Sequence, residues 1–433
     1  LYRYTGGEFV ISNGGNCCFW ISVEPEGKIT GTYPIEIRVY NEAQEQIGQV
    51  RYDLEIIDAE LPKLSIYNTN WFHGDCIGTH HGVKILSDAW FDLVDEYMAV
   101  YAKFGLNLIL TPVFTPPLDT NIGEERPTTQ LVEVTCTNGQ YSFGFDNLKR
   151  WIELTRKNGI EFLEISHLFT QWGAKHCPKI MATVDGEYKR IFGWDTDAVS
   201  KEYEAFLDAF LPALIQFLTA EGIMDKCLFH VSDEPSEEHR EQYAACKALL
   251  TKYLDENCLI DALSRYEFYT SGVVKNPVAA NNHIQPFLDN NVETLWTYYC
   301  CSQREDVANR FMAMPSYRNR VLGSQLYKYN IKGFLQWGFN FWYSVRSQRA
   351  INPYTDTASD FTFPAGDAFV VYPKLPWQEE PVYSLRLFVY NEAFQDFRAL
   401  KLLESLTSRE EALSLLTELE NFDKYPRNIE FYV

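Results

Sequence analysis

Two adjacent acids, Asp233 and Glu234, follow His230, Val231 and Ser232 in the string HVSDEP. Cleaving a glycosidic bond takes a carboxylic acid to protonate the leaving oxygen, and an anion to face the oxocarbenium-like centre that forms at the sugar carbon. Neighbouring acids in a cleft can do both, because each raises the cost of ionising the other and one stays protonated near neutral pH. The same string also reads as an acidic helix start, with Pro235 near its first position and carboxylates favoured by the helix dipole. Position separates the two readings. Asp233 and Glu234 close an apolar run, whereas Glu237 and Glu238 lie farther on, where dipole acids belong.

The run they close is one of eight. From Leu64 onward, short apolar segments alternate with longer helical stretches: 64–71, 106–112, 160–166, 227–232, 258–264, 277–280, 293–299 and 333–339. Between them lie amphipathic segments such as 88–105 and 200–222, the latter closed by Gly222. Repeated β-α units of this kind predict a parallel sheet, and eight of them a (β/α)8 TIM barrel with an irregular sixth unit at PVAA. Ahead of it, residues 1–60 hold short alternating runs, YPIEIRVYN at 33–41 and VRYDLEIID at 50–58, which predict strands of a β-sandwich too short to be complete. AELP at 59–62 marks the boundary, so the expected organisation is a partial β-sandwich over 1–60 and a barrel over 61–433.

A barrel of this type carries its chemistry at the C-terminal ends of its strands. Strand one ends in Trp71, His73 and Asp75, and strand three in His167, with Gln171 and Trp172 beyond it. Strand four ends in the acid pair, strand seven in Trp296, Tyr298 and Tyr299, strand eight in Trp337, Asn340 and Trp342. Trp296, Trp337 and Trp342 are candidates to wall a pocket against an apolar ligand face, with core packing as the plainer alternative. His73, Asp75 and His167 suit a sugar hydroxyl, and Asn340, polar within an aromatic run, must find a partner, for which a sugar hydroxyl is one option. His167 and Trp172 open a long loop, 167–198, expected to cover the pocket.

Composition narrows the partners. Thirty-eight Lys and Arg against 59 Asp and Glu give a net charge of −21, which repels nucleic acid and anionic membrane surfaces and is indifferent to a neutral carbohydrate. No run approaches the roughly 20 apolar residues of a membrane span. The ten cysteines include no C-x-x-C pair to hold zinc, so neither a metal site nor a cofactor is expected. Several lie in apolar runs as small hydrophobes, which points to a reducing, cytoplasmic compartment. Aromatic residues reach 15% of the chain, a content that suits stacking on sugar faces as well as core packing.

HVSDEP, together with TNWFHGD (69–75), EISHLFTQWGA (164–174), FGWDT (192–196), LWTYYC (295–300) and LQWGFNFWY (335–343), resembles glycoside hydrolase family 123. That family comprises β-N-acetylgalactosaminidases built as an N-terminal β-sandwich followed by a TIM barrel. The resemblance runs from about Tyr33 to Leu400, with 384–403 as a looser version of the closing helix. It implies a retaining, substrate-assisted reaction, as in the hexosaminidases of family 20. Glu234 would be the general acid/base, and Asp233 would orient the substrate's 2-acetamido group. The division is chemically coherent. If the acetamido oxygen attacks the anomeric carbon, an oxazolinium ion forms, no enzyme nucleophile is needed, and an ionised Asp233 balances the positive nitrogen. A tyrosine hydroxyl can hold the other end of the group. Tyr298 is the candidate and Tyr299 the alternative, since strand alternation sends only one inward.

Three rivals remain at this level. One is a β-N-acetylglucosaminidase of the same mechanism. Another is a catalytically silent carbohydrate-binding protein, which would not call for the acid pair. The third is a conventional two-carboxylate glycosidase with its second acid on another strand, such as Glu164 or Glu267.

Overall fold

A computed structural model describes residues 19–23 and 29–432. The chain divides between Lys63 and Leu64 into two compact units. The first contains an antiparallel hairpin, Gly31–Tyr40 against Gln46–Ile56, with Ile35 opposite Tyr52 and Ile37 opposite Val50. The first strand alternates half-buried and exposed residues, the period-two signature read from its sequence. The rest of the expected sandwich, residues 1–18 and 24–28, lies outside the described residues.

The second unit is a mixed α/β fold, and all eight expected strands occur in it. They are β1 (Tyr67–Asn70), β2 (Leu108–Thr111), β3 (Phe162–Ile165), β4 (Cys227–Phe229), β5 (Asp261–Leu263), β6 (Pro277–Ala280), β7 (Trp296–Tyr298) and β8 (Gly333–Gln336). They form two parallel sheets, ordered β4-β3-β2 and β5-β6-β7-β8-β1. The first strand thus pairs with the last, Tyr67 opposite Gly333 and Asn70 opposite Gln336. Between the sheets, the Ile260 amide donates to the Phe229 carbonyl (2.9 Å) and the Asn107 amide to that of Asn68 (3.1 Å). Each strand is short and almost wholly buried, as expected where both faces of a parallel sheet are covered.

Two apolar clusters follow from the alternation along these strands. Leu108, Leu110, Ala262, Val278, Ala280, Trp296, Tyr298 and Leu335 pack on one face, while a larger cluster lies between strands and helices. The helices start where sequence chemistry says they should. Ser87 caps Asp88–Lys103 by accepting from the Trp90 amide, and Ser200 caps Lys201–Ala220 by accepting from that of Tyr203. Beyond the second of these, Gly222 takes the left-handed conformation (φ 67°) that favours glycine. The last long helix is Leu385–Leu406.

The segment 167–198 is not the irregular loop expected from sequence. It contains the hairpin Ile180–Val184 and Glu187–Phe192, which joins a second hairpin, Glu133–Thr137 and Gln140–Gly144, in a four-stranded sheet. Edge polar residues hid both hairpins. Glu187–Phe192 exposes its first four residues, so no run of buried apolar positions marks it.

Candidate active site

The geometry is built from β3, β4 and β5 upward. Glu164, mid-strand in β3 and fully buried, accepts from Thr69 Oγ1 (2.6 Å), Trp71 Nε1 (2.7 Å) and His230 Nε2 (2.6 Å). Asp261, which opens β5, accepts from the Val231 amide at 3.1 Å, from His230 Nδ1 at 3.1 Å and from the Tyr243 hydroxyl. His230 therefore bridges two buried carboxylates. Burial opposes its charged form, but the hydrogen bonds to Asp261 and Glu164 outweigh that and hold its pKa up to about 10. Each ring nitrogen of the imidazolium thus meets one acid side chain.

His167 stacks on this ring at 4.1 Å, 15° from parallel, and meets Trp71 edge-on at 5.4 Å. It is buried with neither ring nitrogen hydrogen-bonded. Burial, then the adjacent His230 charge, pushes its pKa well below the ordinary histidine value, so it is neutral. His167, His230 and Asp261 bring ligand-type atoms within 4.8 Å of one another. Both nitrogens of His230 are taken by carboxylates, however, which makes it a cation rather than a metal ligand.

Asp233 and Glu234 continue from β4 above this floor, the first half-buried and the second exposed. Burial, and then the neighbouring Glu234 charge, raises the Asp233 carboxyl well above the carboxylate range. Glu234 has φ 43° and accepts a hydrogen bond from Tyr298, whose hydroxyl lies 3.4 Å from Ser264 Oγ. Two more non-glycine residues with positive φ surround the pair, Trp172 (57°) and Asp119 (40°). They are tied in, since the Trp172 amide donates to the Asp233 carbonyl (2.9 Å) and the Asp119 amide to Gln171 Oε1 (2.5 Å). Each such conformation costs on the order of 1–3 kcal/mol, and strain of this kind gathers where function fixes geometry. The Asp119 carboxylate accepts from the Arg346 amide (2.8 Å), while burial raises it to about 6 despite that bond.

The remaining sequence candidates divide. Tyr298 reaches the pair, whereas Tyr299 turns into the outer core against Phe334 at 4.9 Å, as strand alternation requires. Trp172 is 41% exposed beneath the Arg346 guanidinium, which lies 6.0 Å from its ring centre. Trp337 is half-buried and donates to Asp367 Oδ2 (3.0 Å), an acid that burial raises to about 7.

Other candidates are structural. Trp296 opens β7 instead of ending it; it is 3% exposed, stacks on Tyr67 at 4.9 Å, and fills the space where a Cβ on Gly333 would lie 2.2 Å away. The strand is shorter than its apolar run suggested, so Trp296 is interior filling and not a pocket wall. Trp342 is likewise core, donating to the Val371 carbonyl (3.0 Å) and packing against Tyr97 and His80. Asn340 accepts from the His73 amide (2.8 Å) and donates to the His73 carbonyl (3.1 Å), so its partner is backbone. Asp75 forms a buried two-point ion pair with Arg126 (2.9 and 2.8 Å). His73 lies against the same guanidinium at 3.1 Å; burial and then that charge lower its pKa to about 3. These four residues fasten the loops after β1 and β8.

The sequence reading passed over Asp261 and Arg126, and it named Glu164 only as a rival acid. The signal was available. An acid inside an apolar strand, as in FLEIS or CLIDAL, must meet a counter-charge or donors.

A fully bonded charged floor beneath two acids of unlike exposure, at the carboxyl ends of parallel strands, is the equipment of an enzyme that hydrolyses glycosidic bonds. The chain belongs to glycoside hydrolase family 123, because the model of the glycoside hydrolase 123 catalytic domain matches residues 71–403. Among solved structures it is similar to a family 123 glycoside hydrolase from Clostridium perfringens described for glycolipid glycan hydrolysis. That likeness has a TM-score of 0.72 at 16% identity, over 90% of this chain and 69% of the other. A family 2 glycosyl hydrolase from Bacteroides cellulosilyticus has a TM-score of 0.32 at 11% identity, over 71% and 34% of the two chains. That value is too low to weigh. No curated protein matches the chain in sequence.

Proposed function

We propose that this chain is a retaining β-N-acetylgalactosaminidase that uses its substrate's acetamido oxygen as the nucleophile, on a closed (β/α)8 barrel preceded by a partial β-sandwich. The observation that carries the mechanism is the unlike setting of the two acids. Asp233 is half-buried, and burial and then the Glu234 charge raise its carboxyl well above the carboxylate range, while Glu234 is exposed. An acetamido N–H bonded to Asp233 acquires positive charge as the ring closes, and that charge draws the Asp233 carboxyl to its ionised form. Glu234 then delivers a proton to the glycosidic oxygen and afterwards takes one from water. Tyr298, bonded to Glu234 in the free site, is placed to move its hydroxyl to the acetamido oxygen. Trp337 and Trp172 supply aromatic surface.

The galactosamine preference is supported by family membership, and glycolipid glycans are candidate substrates by analogy with the clostridial enzyme. A panel of nitrophenyl β-glycosides tests the reading. N-acetylgalactosaminide should be cleaved fastest, N-acetylglucosaminide more slowly, and β-galactoside, which lacks the acetamido group, not at all. Ready cleavage of the plain galactoside would defeat substrate assistance.

A further inference from the structure

Away from the acid pair, a cavity of about 450 Å³ lies between the stretch 309–316, the helix Tyr317–Lys328 and the start of the helix Leu385–Leu406. Phe311, Met312, Pro315, Val382, Leu385 and Val389 make its walls largely apolar. Two arginines also line it. Arg310 is 1% exposed and reaches Asn70, Gln336 and the Gly338 carbonyl (2.8 Å). Arg386 reaches the carbonyls of Gly366, Phe369 (2.9 Å) and Arg310 (3.3 Å). All of these acceptors are neutral, and neither guanidinium forms an ion pair among the described residues. A buried cation without a counter-ion is costly, so Arg310, with the half-buried Arg386 beside it, constitutes a standing demand for an anion.

Two further features point the same way. The donors Arg310 Nε and Ser384 Oγ are buried with no hydrogen-bond partner, and both residues line the cavity. Ser384 is the N-cap of a 22-residue helix, yet its hydroxyl makes no capping bond, so it is not spent on the helix's own amides. Those first-turn amides carry the positive end of the helix dipole toward the same place. Asp367, the acid electrostatically nearest the two arginines, is already bonded to Trp337 and Gln336, and burial raises its pKa to about 7, so it supplies at most a partial charge. We propose that this cavity is a binding site for a small amphipathic carboxylate, its head between Arg310, Arg386 and Ser384 and its hydrocarbon body against Phe311, Met312 and Val389. The apolar walls favour a carboxylate with a carbon body over a bare inorganic anion.

The chain's five methionines offer a direct reading, since two of them, Met312 and Met314, line this cavity while Met98, Met181 and Met224 do not. In the full chain labelled with 13C-methyl methionine, sodium octanoate should shift the Met312 and Met314 signals saturably and leave the other three in place. Inorganic phosphate and 1-octanol, which carry only the head or only the body, should each bind at least about tenfold more weakly. Arg386→Gln should weaken octanoate by at least about tenfold with nitrophenyl glycoside hydrolysis unchanged. Should that variant fold poorly, Met312→Trp, which fills the partly exposed mouth, should have the same effect read at Met314. Absence of a saturable shift, or shifts spread over all five methyls, would overturn the proposal. So would octanoate binding that Met312→Trp leaves intact. Octanol as strong as octanoate would remove the anion site, and phosphate as strong would remove the apolar one.

Discussion

The Tyr298 hydroxyl donates to Oε1 of Glu234, so the end of β7 is bonded to the acid that follows β4. Beside it, burial and then the Glu234 charge raise the Asp233 carboxyl well above the carboxylate range. Tyr298→Phe should remove this bond and, in the bound state, the hold on the acetamido oxygen. We expect kcat on nitrophenyl β-N-acetylgalactosaminide to fall by about 10²-fold, the usual cost of one lost transition-state donor. An unchanged kcat with a raised KM would reduce Tyr298 to a ground-state contact.

Glu234→Gln removes the acid and leaves the fold. Turnover should fall most for poor leaving groups, by roughly 10²-fold or more, while activated aryl glycosides lose less because they need little protonation. A series of aryl glycosides of graded leaving-group pKa would measure this. Equal losses along the series would take the acid role away from Glu234.

The His230 bridge makes a stability prediction with a definite sign. Its pKa is about 10 in the folded chain and about 6.5 when unfolded, so the folded state binds the extra proton between those values. The stabilisation is complete below about pH 6.5 and is lost as pH rises toward 10, at a slope of up to about 1.4 kcal/mol per pH unit. Urea unfolding of the wild type and of His230→Gln from pH 6 to 10 isolates the contribution. The difference between the two should shrink steadily with pH; a constant difference would mean that the ring is neutral in the folded chain.

These residues also mark what could be read without coordinates. The eight strands, with Asp233 and Glu234 just beyond the fourth, were legible because apolar runs of four to eight residues, separated by amphipathic helices, leave little freedom in a parallel sheet. PVAA was legible to the residue, as Pro277–Ala280. What sequence did not carry was the depth of each side chain along its strand. Trp296 and Tyr298 share a face, yet one stacks on Tyr67 in the interior while the other reaches Glu234, and a difference of two positions decides it. The counter-charge of a buried acid was equally hidden: Asp75 finds Arg126 51 residues on, and Glu164 finds His230 66 residues on. Pairings that distant depend on which strands are neighbours.

Substrate assistance itself rests on Asp233. If the acetamido oxygen is the nucleophile, a thiazoline analogue of N-acetylgalactosamine mimics the cyclised intermediate and should inhibit far more tightly than substrate binds. Asp233→Asn cannot ionise. It should weaken the thiazoline and slow hydrolysis by similar factors, since one charge faces the same cation in the inhibitor complex and in the transition state. A fluorosugar that leaves a covalent glycosyl adduct on Asp233, Glu234 or Glu164 would refute the mechanism, because a substrate-assisted enzyme has no carboxylate that bonds to the sugar. A thiazoline inhibition constant unchanged in Asp233→Asn would leave the acetamido group to another residue, and Asp119, the acid bonded to the Arg346 amide beside the pair, would be the next to change.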